Sequence, residues 1–526
     1  VSADFTTRSA AATLLGDFVE GWAARTPDGV AIDFDGRRWS WWQWNERIRG
    51  VTAGLRAAGI GRGDRIAFLD KNHPACLEVV FGAAALGAAT AVLNWRQAGE
   101  ELSYALADSR ARILFVGAEL ITDLPAPEPD SVLERRIAIG GENDAYEAFT
   151  TSEPADVIET ALTAGVSDAD DALIIYSSGT TGRPKGVVLS QRALVAHTRN
   201  VGAAFPFEPG DTNLVAMPLF HVGGVCYAFF GIHAGARTIM TREPRLDAIT
   251  RAVADGATHA FFVPPVVAAI LTAGEPAISA VAGLKYLGYG AAPMPLPLLR
   301  NALGAWPELN FVQVYGQTEL SGVVSTLAPH DHRDFEHGHL LLSAGRAVVG
   351  TEIRVTEIGT GADLPVGEQG ELWFRTAQRM TEYLNCPEAT AATITPDGWV
   401  RTGDIGRLDA DGYIYVEDRL KDMIITGGEN VYGPEVERVL FAHPAVSDAA
   451  IIGVPDPYWG ESVKAIVVAS EPVDGEDIIA FCRERLAGYK CPKSVDFVTE
   501  LPRNPSGKII KRALREPYWS GQARSI

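Results

Sequence analysis

Cysteine is scarce in this chain, with five in 526 residues at positions 76, 226, 386, 482 and 491, no two of them spaced as CxxC. That excludes the common zinc-ribbon and dithiol pairs and supplies no disulfide framework, so a reducing, cytoplasmic setting is expected. Long apolar runs are missing too. The longest, from Val79 to Leu93, is 15 residues interrupted by glycine, short of the ~20 needed to cross a bilayer, and it reads as a buried helix passing into a buried strand. No basic-then-apolar leader pattern opens the sequence. Positive charge is also in deficit: 46 Lys and Arg against 66 Asp and Glu leave a net charge of −20. This argues against a nucleic-acid surface, and no nucleic-acid partner is expected.

What is present describes a globular protein, 47% apolar and 21% charged, long enough for at least two domains. The negative charge is unevenly spread. From Arg419 onward there are 14 basic and 15 acidic residues, so nearly all of the excess lies before that point. Within the tail, Arg503, Lys508, Lys511, Arg512, Arg515 and Arg524 face only Glu516. Such a cluster suggests an anion site or an anionic surface, with a solvated basic helix end as the plain alternative.

The stretch from Asp171 to Arg199 organises the rest. Its apolar run, Ala172 to Tyr176, leads into Ser177 to Gly186, a segment of hydroxyls and glycines with Arg183 and Lys185. Glycines let a backbone turn and bring N–H groups close to an anion, hydroxyls donate further bonds, and a lysine adds charge. By composition this is a phosphate cradle. It is not a GxxxxGK[ST] loop: counted from Gly179, the second glycine is replaced by Pro184, and Lys185 is followed by Gly186. Val187 to Leu189 then reads as a strand and a helix opens only at Ser190, so the loop should connect two strands.

Around it the text alternates between strand and helix. A hairpin over Ala31–Phe34 and Arg38–Trp39 turns at Asp35-Gly36, and Ser40 caps a helix of about 18 residues. Strands ending at Leu69 and spanning Ala89–Leu93 and Ile113–Val116 alternate with helices over Ala75–Leu86 and Gly99–Ser109. A second alternating region runs from Thr212 to Tyr315. This is βαβ grammar and implies largely parallel sheets covered by helices. After Gly345 short strands and glycine turns suggest a small β-barrel-like unit, and near Asp418 mixed α+β text resumes. The expected fold class is therefore α/β, with a large domain over 1–418 and a small α+β domain over 419–526.

The string Tyr176-Ser-Ser-Gly-Thr-Thr-Gly-Arg-Pro-Lys-Gly186 closely resembles the AMP-binding signature of the adenylate-forming family, which holds acyl-CoA synthetases, luciferases and peptide-synthetase adenylation domains. Further strings in the same order extend the resemblance over essentially the whole chain: Gly290-Ala-Ala-Pro293, Phe311-Val-Gln-Val-Tyr-Gly-Gln-Thr-Glu319, Thr402-Gly-Asp404, Arg419-Leu-Lys421 through Asn430, and Pro505-Ser-Gly-Lys508. The resemblance implies ATP, Mg²⁺ and coenzyme A as cofactors and co-substrates. It places nucleotide contacts at Ser177, Ser178, Gly179, Thr180, Thr181, Gly182 and Lys185, at Gly290, Ala291 and Ala292, and at Gln313, Tyr315, Gly316 and Thr318. Asp404 would take the ribose diol, with Val416 and Arg419 nearby, and Glu319 would hold the metal. Thr181, Lys421 and Lys508 are the catalytic candidates, Lys421 as an interdomain hinge and Lys508 on a mobile loop. Gly427, Gly428, Glu429 and Trp459 would serve the coenzyme A thiol. His221, Val222, Gly223, Gly224, Gly288 and Gly290 would line the acyl pocket.

The bare residues support part of this. A carboxylate and hydroxyl at a strand end suit Mg²⁺, which takes hard oxygen ligands beside substrate phosphates. The segment Met217 to Gly231 has no Lys, Arg, Asp or Glu, which favours an apolar monocarboxylic acid, medium to long or ring-bearing, and its glycines suggest room. Within the family the motifs look most like fatty-acid synthetases of the FadD type, with aryl and cinnamate ligases as near neighbours. The expected activity is an AMP-forming acyl-CoA synthetase; a stand-alone adenylating enzyme that loads a carrier protein, a non-catalytic nucleotide-binding regulator and a peripheral membrane contact stay open. Four histidines at 330, 332, 337 and 339 cluster as metal ligands often do, but the acids among them favour an exposed loop.

Overall fold

The computed structural model describes residues 13–97, 99–125, 131–142, 144–151, 165–177, 183–334, 336–427, 429–504 and 507–520. Two large sheets dominate. The first has seven strands in the order Glu382–Tyr383, Lys185–Ser190, Asp171–Ser177, Ala89–Val92, Arg65–Leu69, Ile113–Gly117 and Arg135–Ile139. Its pairing is parallel except at the Lys185 and Glu382 edge. The second has nine strands, centred on the parallel set Asn310–Tyr315, Tyr286–Gly290, His259–Phe262, Thr212–Val215 and Arg237–Met240. Helices Trp41–Ala57, Pro74–Ala84 and Val222–Ala234 pack between the sheets in one shared apolar core.

Local chemistry accounts for the boundaries. Asp35 and Gly36 both take positive φ, 49° and 78°, the geometry a two-residue hairpin requires. Ser40 accepts from the Gln43 N–H while the Gln43 side chain accepts from the Ser40 N–H, a capping box that starts the 17-residue helix. The apolar run from Val79 is a buried helix entering the buried strand Ala89–Val92, with Pro74 at the helix start and every residue from 74 to 84 buried. Near the N-terminal side the helix Gly16–Arg25 buries Phe18, Val19 and Ala23. The strand Arg135–Ile139 extends the first sheet, and the short helix Ala145–Thr150 follows it.

A four-stranded antiparallel sheet follows, Thr351–Thr356, Gly370–Thr376, Val400–Leu408 and Ile414–Arg419. It ends at Arg419, and the next sheet starts at Ile424. There the long hairpin Val446–Asp456 and Gly460–Ala469 alternates its side chains between two cores. Ala449 and Ile451 face helices Gly433–Leu440 and Gly475–Arg483, while Ala450 and Ile452 face helix Lys511–Trp519.

The histidine cluster is not an exposed loop throughout. His332 and Asp331 are buried, His332 sharing hydrogen bonds with Tyr289 (2.9 Å) and the Ala328 carbonyl (2.8 Å), and Asp331 accepting from Tyr413 (2.7 Å). Burial lowers the His332 pKa to about 4, so the ring is a neutral packing element. Among the described helices, none is long and apolar enough to cross a membrane.

Candidate active site

The two strands that the sequence implied on either side of the candidate phosphate cradle are both present. Asp171–Ser177 and Lys185–Ser190 pair antiparallel, with Ser177 opposite Lys185, and Ser190 caps the following helix. Residues 178–182, which hold Ser178, Gly179, Thr180, Thr181 and Gly182, lie outside the described residues. Both flanks are held: Tyr176 donates to Asp108 (2.9 Å), Arg183 lies over the Tyr104 ring (5.1 Å), and the Lys185 ammonium lies 4.9 Å from the Tyr383 ring centroid.

In the second sheet the carboxyl ends of the parallel strands form an edge of the kind where open α/β sheets bind ligands. Strands Tyr286–Gly290 and Asn310–Tyr315 run side by side, bringing Gly288 opposite Val312, Tyr289 opposite Gln313 and Gly290 opposite Val314. A Cβ at Gly290 would lie 2.4 Å from the Val314 carbonyl oxygen, so only glycine lets the strands close here. Ala291 follows at φ +63°, a left-handed conformation that costs a non-glycine residue energy and is typical of functional turns. Its neighbour Ala292 completes the small-residue bend. At Gly316 a Cβ would meet the Gly322 oxygen at 1.9 Å, which folds the chain back and presents Thr318 and Glu319 on a short 3₁₀ turn.

Three segments then converge. Asp404 and Arg419 are cross-strand partners in the four-stranded sheet and form an ion pair. Tyr315 donates its hydroxyl to the other carboxylate oxygen of Asp404 at 2.7 Å. Val416 sits on the same strand as Arg419, opposite Gly406. Lys508 arrives from the far end of the chain, its N–H donating to the Asn504 side chain (2.8 Å), and the neighbouring Gly507 packs on Pro265, which a Cβ there would approach at 3.1 Å. The Arg419 guanidinium, burial and Lys421 lower the Lys508 pKa to about 8, against the opposing pull of Asp404. Lys421 has its own pKa lowered by desolvation and by Arg419.

Glu319 accepts a hydrogen bond from the Tyr383 hydroxyl on Oε1 at 2.6 Å. The donor set here, a carboxylate beside the Thr318 hydroxyl, is hard oxygen and fits Mg²⁺.

The acyl-side residues are packed more closely than their glycines had suggested. His221 Nδ1 accepts from the Gly223 N–H (3.0 Å) and so caps the helix beginning at Val222; desolvation lowers its pKa to about 4. A Cβ at Gly224 would lie 2.1 Å from the Pro218 oxygen, and one at Gly288 would lie 2.8 Å from both Phe205 and Phe261. These glycines allow close approach rather than leaving room, because Phe205, Tyr227, Phe230 and Phe261 fill the space behind them.

Gly427, Glu429 and Trp459 are not part of this convergence. Gly427, at φ +60°, lies against the Trp459 indole, and Trp459 and Glu429 are exposed on the outer hairpin of the small domain. Gly428 lies outside the described residues. In the basic tail, three of the cations are held by acids, and Arg524 lies outside the described residues. Arg503 pairs with Asp448 (2.6 Å), Lys511 with Glu437 (2.9 Å), and Arg515 with Asp422 (3.4 Å) and the Lys421 carbonyl (3.1 Å). Tyr383 and Asp418 had no local sequence signal for these contacts, and Arg515 was legible only as one charge of the basic cluster, since each meets its partners through long-range packing.

The pattern of the AMP-binding enzyme family matches residues 19–384, and that of the AMP-binding enzyme C-terminal domain matches residues 435–508. The chain belongs to the AMP-binding enzyme family. Its class is AMP-forming acid–thiol ligase. Among its relatives, fatty acid–[acyl-carrier-protein] ligase ScoC of Streptomyces coeruleorubidus is 35% identical over 519 residues, covering 96% of each chain. Feruloyl-CoA synthase of an Amycolatopsis species is 37% identical over 513 residues, 96% of this chain and 99% of that one. Among solved structures, ATP-bound MatB of Rhodopseudomonas palustris superimposes with TM-score 0.86 at 27% identity, over 96% of this chain and 99% of that one; its apo form gives 0.76.

Proposed function

We propose that this protein is an ATP-dependent acyl-CoA synthetase. It activates an apolar monocarboxylic acid as an acyl adenylate, releasing pyrophosphate, and passes the acyl group to coenzyme A, releasing AMP. The observation that carries this reading is the arrival of Lys508 from the C-terminal region beside Asp404, Arg419 and Tyr315, with Glu319 and Lys185 facing the same space.

A carboxylate is a poor acyl donor because it would have to expel oxide, and a mixed anhydride with AMP removes that obstacle. In the first step the substrate carboxylate attacks the α-phosphorus of ATP and the bond to pyrophosphate breaks. The adenine lies at the bend of Gly290 to Ala292 against Tyr315 and Gly316, near Gln313 and Val416. The ribose hydroxyls are held by Asp404, whose geometry Arg419 and Tyr315 set. Thr318, the loop from Ser177 to Lys185 with Thr181, and the Lys508 ammonium donate to the phosphates, where charge develops. Glu319 would hold Mg²⁺, which when bound neutralises phosphate charge.

The second step needs other groups at the same place. Rotation of the 419–526 domain against the 1–418 domain about Lys421 withdraws Lys508 and brings Gly427, Gly428, Glu429 and Trp459 toward the thiol. The present orientation suits the first step, and its greater likeness to the ATP-bound than to the apo form of MatB supports that reading.

The uncharged segment Met217–Gly231 and the packed rings behind Gly288, with His221, Val222, Gly223 and Gly224 at the entrance, favour a ring-bearing or medium-length acid over a long chain. A carrier-protein thiol is the second reading of the acceptor, favoured by the likeness to an acyl-carrier-protein ligase. The low cysteine content and absence of CxxC pairs fit a cytoplasmic location. ATP–pyrophosphate exchange across a panel of carboxylic acids tests the first step, and consumption of free coenzyme A tests the second. Acid-dependent exchange with aryl or medium-chain acids is expected; ATP binding without exchange for any acid would overturn the enzymatic reading.

A further inference from the structure

We propose that Tyr383 is a positioning residue that orients the Glu319 carboxylate toward the metal and ties it to Lys185 on the strand leaving the phosphate loop. This rests on the reading of Glu319 as a Mg²⁺ ligand and of the Ser177–Lys185 loop as the phosphate cradle.

The placement of Tyr383 is set by backbone bonds. The two-residue strand Glu382–Tyr383 adds to the edge of Lys185–Ser190, with Tyr383 opposite Val187. Flanking bonds from the Thr381 N–H to the Val188 oxygen (2.9 Å) and from the Leu384 N–H to the Gly186 oxygen (2.7 Å) fix it on both sides. Tyr383 therefore moves with the strand that the phosphate loop ends on.

From this position it touches two groups of different function. Its hydroxyl donates to Glu319 Oε1 at 2.6 Å, and the adjacent Met380 N–H donates to the Glu319 main-chain oxygen at 2.8 Å. Both the side chain and the backbone of Glu319 are thus held by one segment. An ionised carboxylate offers two oxygens; with Oε1 occupied by the phenol, Oε2 is the one left for a cation, the single-point contact that a small, water-retaining ion such as Mg²⁺ takes. Hydrogen bonds of this kind to ligating carboxylates orient them and tune their affinity. The ring of Tyr383 meanwhile lies against the Lys185 ammonium, 4.9 Å from its centroid, which holds a flexible side chain near where the phosphates bind. A phenylalanine would fill the same space and keep the platform under Lys185. The hydroxyl adds the bond to Glu319 and one with the Thr393 side chain, which carries no ligand.

The test uses the full-length protein loaded with ATP. Mn²⁺ affinity of the ATP complex is measured by electron paramagnetic resonance titration, and ATP affinity without metal by calorimetry in EDTA, for wild type, Tyr383→Phe, Tyr383→Leu and Glu319→Gln, each checked for a native thermal transition. Tyr383→Phe is expected to weaken Mn²⁺ binding about tenfold, the lower end for loss of a hydrogen bond to a ligand, with metal-free ATP affinity unchanged. Tyr383→Leu is expected to weaken both, because Lys185 loses its platform. Wild-type Mn²⁺ affinity in Tyr383→Phe beside a weakened Glu319→Gln would overturn the positioning role, and undiminished metal-free ATP binding in Tyr383→Leu would overturn the link to Lys185. Wild-type Mn²⁺ affinity in Glu319→Gln would remove the metal-ligand reading itself, and this proposal with it.

Discussion

Lys508 stands beside two other cations, Arg419 and Lys421, opposed by the carboxylates of Asp404 and Asp422. Its ammonium is consequently easier to deprotonate than an ordinary lysine, with a pKa near 8. A lysine is charged below its pKa, so the cation that the adenylation step uses is present at pH 7 and lost as pH rises through about 8. The kcat/KM for ATP in pyrophosphate exchange, which reports the free enzyme, should therefore fall above that pH. Thioester formation from supplied acyl adenylate should lack this limb. Tyr315 offers a second residue-level test. Its hydroxyl fixes the Asp404 carboxylate at 2.7 Å, and a hydrogen bond to a charged group contributes roughly 1.5–3 kcal/mol. Tyr315→Phe should raise the KM for ATP roughly tenfold, read by steady-state exchange kinetics, with a smaller effect on kcat. The proposed roles of these residues come from short strings, which carry no information on their contacts. Asp404 and Arg419 become neighbours only through strand register, and Tyr315 reaches them from another sheet.

At the scale of elements, helix Lys511–Trp519 links the C-terminal loop to the turn at Lys421. Lys511 and Arg515, one turn apart, share a face of it. Lys511 lies between Glu437 and the buried Asp418, whose carboxylate also accepts from the Gly433 N–H at 2.8 Å, and Arg515 donates to the Lys421 carbonyl. Burial works against the charge on Lys511, and the two carboxylates more than offset it. Arg515→Ala should slow adenylation roughly tenfold, the worth of one charge-assisted bond, while sparing thioester formation in a stopped-time assay with supplied acyl adenylate. Lys511→Met leaves the buried Asp418 and the partly buried Glu437 without their counter-charge and should cost about 3 kcal/mol, visible as a lowered thermal midpoint of the small domain. The sequence showed this segment as a basic cluster and could not say where its charges go. Arg503, Lys511 and Arg515 each find an acid far away in the chain. By contrast, the hairpin at Asp35-Gly36, the Ser40 and Ser190 caps and the alternating strands were readable because their determinants lie within a few residues of one another. The edge strand Glu382–Tyr383 is too short to carry a periodic signal, which is why Tyr383 was missed.

For the whole molecule, βαβ alternation implied two helix-covered parallel sheets, a small β unit and a smaller C-terminal region, and this is the architecture observed. The glycines of the acyl side were legible as small residues but misread as space, because the aromatic rings that fill it come from other helices and strands. In the present arrangement Lys508 is at the nucleotide side, while Gly427 and the exposed Trp459 face outward. One site served in turn by two faces of a mobile domain is the central claim, and it implies that the half-reactions can be separated. The most direct measurement assays Lys508→Ala for each half-reaction alone. Acid-dependent pyrophosphate exchange should fall by about 10²-fold or more, the usual loss when one charge-stabilising group is removed, while thioester formation from supplied acyl adenylate and coenzyme A stays within a few-fold of wild type. An equal fall in both half-reactions would contradict the account.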